Sequence, residues 1–79
     1  MNSADTVAEF ERLAEMAYAA MYDIRPCGVK DLYDEARLHF RRAIEVAQGA
    51  GLVCEAARLS NRLGHVESVY RSQFRNVGR

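Results

Sequence analysis

Residues 32–47, LYDEARLHFRRAIEVA, constrain this chain more than any other stretch. Leu32, Ala36, Phe40, Ala43, Ile44 and Ala47 recur at three- and four-residue steps, which gathers them on one stripe of an α-helix and leaves the charges opposite. Asp34 and Glu35 fall in the first turn, where negative charge suits the helix dipole, and Asp31 stands where a capping side chain is expected. Gly49-Ala50-Gly51 then offers the left-handed backbone that closes a helix at little steric cost. Such a helix is stable only when its stripe is covered by neighbours.

The neighbours are readable on both sides. Val7, Phe10, Leu13, Ala14, Ala17 and Met21 repeat at helical spacing behind Ser3 or Asp5 as cap, and Pro26 restrains Arg25 from helical geometry. A turn over residues 25–29 is therefore expected. After the glycine pair, Leu52, Ala56, Leu59, Leu63, Val66, Tyr70 and Phe74 fall within about 80° of one another at 100° per residue. The expectation is one all-α domain of three antiparallel helices, a helical-hairpin, repeat-like bundle, with helices at about 4–23, 31–48 and 52–75 and residues 76–79 fraying. Phe10, Leu13, Phe40, Ile44, Leu59, Leu63 and Val66 are its expected core.

A chain of 79 residues buries only roughly 60% of the surface it exposes when unfolded, so the core is thin. Eleven basic residues cancel eleven acidic ones, which gives no overall charge for holding nucleic acid or an anionic membrane. The distribution is uneven. Residues 1–23 carry Asp5, Glu9, Glu11, Glu15 and Asp23 against Arg12, and residues 52–79 carry Arg58, Arg62, Arg71, Arg75 and Arg79 against Glu55 and Glu67. An acidic first helix beside a basic last one follows from this split.

The N-terminus has no basic start or apolar stretch of a secretory signal, and the longest apolar run, residues 16–22, is far shorter than the roughly 18 residues of a membrane span. Two cysteines 27 positions apart make no disulfide framework. A cytoplasmic protein with free thiols, off the membrane, is expected.

The segment Tyr33-Asp34-Glu35-Ala36-x3-Phe40-x2-Ala43-Ile44 resembles the second helix of a tetratricopeptide repeat, and Leu63-Gly64 is similar to the Leu-Gly pair in the first helix of a following repeat. The resemblance spans about residues 32–70 and departs from the repeat at Glu67, where an aromatic is expected. The Ala36, Phe40, Ala43 pattern is also similar to the middle helix of three-helix microtubule-interacting-and-trafficking modules. Either resemblance implies a helical scaffold that binds peptide segments, without catalysis.

Chemistry-bearing constellations are sparse. Cys27, His39, Cys54 and His65 lack the local pairing that brings zinc ligands together, and Cys54 and His65 stand about 16 Å apart along one helix. Glu35 and His39 are four residues apart, but three short helices leave little room for a catalytic pocket, and no phosphate loop or nucleophile motif is present. No enzyme, cofactor or metal is expected. The candidate partner-binding residues lie on helix three. Ala57, Ser60 and Gly64 share an azimuth beside the core face, where small side chains let another helix approach, and Arg58, Asn61, Arg62 and His65 form a stripe on the side away from the core. Glycine inside a helix costs about 1 kcal/mol relative to alanine, so Gly64 calls for a reason. The expected partner is a protein, either a second copy or another chain. The alternative is a nucleic-acid-associated regulator using Arg41, Arg42 and the helix-three arginines, although Arg71 and Arg75 point away from the stripe.

Overall fold

A computed structural model describes residues 2–74 as three α-helices, α1 (Ser3–Ala20), α2 (Pro26–Gly49) and α3 (Val53–Val69), followed by one π-helical turn at Tyr70–Phe74. No strand occurs among the described residues. Asn2 caps α1: its extended backbone turns the chain, its side-chain Oδ1 accepts the Ala4 N–H at 3.0 Å, and its carbonyl accepts from Asp5 and Thr6. Ser3 and Asp5, expected as caps, are inside the helix. The chain leaves α1 at Ala20, three residues before the expected end, and turns through residues 21–25.

Pro26 begins α2 where residues 25–29 were expected to form a turn. The restriction that proline places on Arg25, here at φ −63° and ψ 151°, ends the loop. Pro26 itself suits the first helical position, where a missing N–H costs nothing. Asp31 is consequently an exposed residue within α2 and not its cap. Ile24 folds over Gly28, where an added Cβ would come within 2.5 Å of Ile24 Cδ1, so the glycine makes room for the loop. At the other end Gly51 adopts φ 75°, Leu52 N–H donates to the Ala47 carbonyl at 2.8 Å, and Gly51 N–H donates to Gln48 at 3.1 Å. These bonds form the left-handed helix stop that the glycine pair foretold.

α2 is the spine. Ala36, Phe40, Ala43 and Ala47 are fully buried, α1 packs on one flank through Val7, Ala14 and Ala17, with Met21 just after it, and α3 packs on the other through Ala56, Leu59 and Val66. Of the expected core, Phe40, Leu59 and Val66 are buried, while Phe10, Ile44 and Leu63 are partly buried against them. Leu13 is half-buried at the edge. Val29 joins the core because α2 starts early, and Tyr33 is buried with it. Tyr33 stacks on Tyr70 with centroids 3.8 Å apart, and Arg37 sits 5.3 Å over the Tyr33 ring and 3.2 Å from Glu67. These contacts set the antiparallel register of α2 against α3. The helical end expected near residue 75, together with Arg75 and Arg79, lies outside the described residues.

Candidate functional site

α1 and α3 both lean on α2 and meet each other chiefly through side chains. Arg58 donates to Glu11 at 2.7 and 2.8 Å and to Glu55 at 2.8 and 3.3 Å. One turn on, Arg62 donates to Glu15 at 2.7 and 2.8 Å and lies 5.3 Å over the Tyr18 ring. The acidic first helix thus lies against the basic third, as the charge split implies. The Arg58 guanidinium holds the Glu11 and Glu55 carboxyls below their ordinary range by hydrogen bonding. Burial, with a hydrogen bond to Tyr22, pushes the Tyr18 phenol up to about 12.

This arrangement spends the charges of α3 on its neighbours. Its four formally charged residues, Glu55, Arg58, Arg62 and Glu67, all form ion pairs directed to α1, to α2 or within the Glu11–Arg58–Glu55 cluster. Besides Arg58, whose guanidinium is held by Glu11 and Glu55, α3 turns to solvent Val53, Cys54, Ala57, Ser60, Asn61, Gly64, His65 and Ser68, none of them carrying a formal charge at neutral histidine. The exposed side of α2, by contrast, carries Lys30, Asp31, Asp34, Glu35, Arg41, Arg42 and Glu45.

Beside this face a shallow open groove of about 330 Å³ runs between the end of α2 and the start of α3, lined by Gln48, Val53, Ala56, Ala57 and Ser60. Val53 is 74% exposed, the most exposed large apolar side chain of those in the described residues. Gly64 is exposed, and an ideal Cβ placed on it meets nothing within 4 Å. Internal packing therefore gives no reason for glycine at that position.

The expected site residues divide accordingly. Ala57, Ser60 and Gly64 share the open face, with Ala57 and Ser60 in the groove and Gly64 beyond it. Asn61 and His65 are exposed beside them. Arg58 and Arg62 turn toward α1, so the proposed four-residue stripe does not form one free surface. Val53 and Gln48 escaped the sequence reading, although Val53 stands four residues before Ala57 and continues the same spacing.

Elsewhere, His39 is mostly buried beside Phe10, with Nε2 3.7 Å from Glu35. Cys27 and Cys54 are exposed and unpaired, and no cluster of three or more metal-ligating side chains occurs among the described residues. No helix there is long and apolar enough to cross a membrane. Compared with protein families, with curated proteins and with solved structures, the chain matches none.

Proposed function

We propose that this chain is a non-enzymatic helical interaction module that binds a helix of another protein molecule through the outward face of α3. One observation carries the reading: in a chain with 28% charged residues, the exposed strip Val53, Ala57, Ser60 and Gly64 of α3 is uncharged, and the charged residues of that helix, the exposed Arg58 among them, are held in ion pairs. Depletion of charge marks the centre of protein interfaces. Small side chains at Ala57, Ser60 and Gly64 suit close approach of a second helix. The likeness of the Ala36, Phe40, Ala43 segment to a tetratricopeptide-repeat helix belongs to the same proposal, as a hairpin scaffold with one face left for a neighbour. So does a reducing, cytoplasmic setting, which two exposed, unpaired thiols favour.

A photo-cross-linking residue placed at Ser60, and in a control at Arg12 on the exposed side of α1, tests the reading in the producing cells. Protein adducts from Ser60 and not Arg12, abolished by Gly64→Leu, are expected. Nucleic-acid adducts from Ser60, or identical adducts from both positions, would count against it. Binding to nucleic acid would instead fall steeply with salt as counterions are released, and it would have to use Arg41, Arg42 and Arg71, because Arg58 and Arg62 already hold carboxylates.

A further inference from the structure

The two connections of the bundle are built differently. Between α1 and α2 the chain is packed: Met21 and Val29 are buried on either side of the loop, and Ile24 lies over Gly28. Between α2 and α3, Gly49, Ala50 and Gly51 are exposed, and nothing packs within 4 Å of where a Cβ would stand on either glycine. Leu52, partly buried against the core, is the first residue after them to be held.

The helices are also fastened differently. Among the described residues every ion pair between helices ends on α3: Arg58 and Arg62 reach Glu11 and Glu15 of α1, and Glu67 takes Arg37 of α2. The remaining pairs lie within single helices, so no ion pair joins α1 to α2 there. Those two helices meet through Val7, Ala14 and Ala17 and through the Phe10 ring stacked on His39.

We infer that α3 is a strap, hinged at Gly49–Gly51 and latched by these three ion pairs, that opens as one unit and leaves α1 and α2 paired. The device concerns how α3 is held and does not depend on what its outward face binds. Opening draws Ala56, Leu59 and Val66 off α2 and parts Tyr70 from Tyr33, while the packed loop between α1 and α2 stays closed. The open form is a minor state, because Leu59 and Val66 are fully buried when the strap is closed.

Ionic strength works the latch. The six paired side chains are 24 to 49% exposed, so dissolved ions reach them. The screening length falls from about 8 Å in physiological salt to about 3 Å near 1 M, the scale of the pairs themselves. An exposed pair of this kind shifts the opening equilibrium about twofold, and three of them together about tenfold. The α1–α2 seam has no such pair to lose.

The test is native-state hydrogen exchange of the full chain, followed amide by amide in sodium chloride at about 0.05 M and about 1 M. The amides of Leu59, Leu63 and Val66 should share one protection factor, at least about tenfold below that of Ala14 and Phe40. In the higher salt it should fall about tenfold. Unfolding of the whole chain breaks the same pairs, so the interval between the two groups of amides should stay constant. Glu11→Gln combined with Glu15→Gln, both on α1, should reduce the salt response of α3 to about twofold, that of Arg37 and Glu67 alone. Glu15→Gln by itself, the milder change, should leave it at about fivefold. One protection factor common to all three helices overturns the inference, and so does exchange that is faster in α1 than in α3. A salt response untouched by these substitutions overturns the latch.

Discussion

Arg62 holds Glu15 by two hydrogen bonds of 2.7 and 2.8 Å, tying the third helix to the first across a gap that neither backbone closes. Both side chains remain about a third exposed, so solvent screens the pair. A double-mutant cycle with Glu15→Ala and Arg62→Ala should yield a coupling of about 0.5 kcal/mol that fades as salt approaches about 1 M. A coupling that persists undiminished at high salt would show that contact with Tyr18 and not charge joins the helices here.

Acid should loosen the same junction. Glu11 titrates below its ordinary 4.5 because Arg58 hydrogen-bonds its carboxylate. The stabilisation is therefore fully present above pH 4.5 and is lost as pH falls through the lower folded-state value. In urea titrations at a series of pH values, Glu11→Gln should remove part of the acid-side decline in stability. An unchanged decline would assign it to other carboxylates.

The alkaline limb has a separate origin. Tyr18 ionises at about 12, because burial and then the Tyr22 hydrogen bond oppose its charge, and burial also raises Tyr33. Stability from Tyr18 is complete below the ordinary value of 10 and is lost as pH rises toward 12. Absorbance titration should show tyrosinate appearing late, and Tyr18→Phe should remove amplitude from the late step. Loss of amplitude from the early step alone would contradict this.

Phe40 is fully buried in the middle of α2. Phe40→Ala should cost about 3 to 5 kcal/mol in chemical denaturation. A loss below about 1 kcal/mol would mean that α1 and α3 close over the vacancy.

Gly64 supplies the opposite sign. Its surroundings are open and its φ is negative, so Gly64→Ala should stabilise the monomer by about 0.5 to 1 kcal/mol. Gly51→Ala should destabilise it, because φ 75° strains any residue with a Cβ. Equal effects at the two positions would refute the account of Gly64 as a position free of internal constraint.

The helix count, the glycine stop and the stripe of α2 were legible in the sequence because each rests on local periodicity or a backbone preference. The start of α2 does not follow from the restraint on Arg25 alone, because proline acts twice, restraining the residue before it and favouring the helix after it. Ala57, Ser60 and Gly64 were legible as one face from azimuth alone. The ion pairs of Arg58 and Arg62 were not legible in the same way, since an azimuth gives direction relative to a helix's own core and not the reach of a long side chain to a neighbour. Their partners were nonetheless implied by the acidic residues at Glu11 and Glu15.

The alanines of α2 have a further consequence. Ala36, Ala43 and Ala47 are fully buried, and a side chain of one carbon has no rotamer with which to absorb a larger replacement. Enlargement at any of them must move an entire helix, and the positions of Glu11 and Glu15 relative to Arg58 and Arg62 would move with it. Substitutions on the spine should thus be felt on the opposite side of the bundle, which makes these three alanines positions of low mutational tolerance.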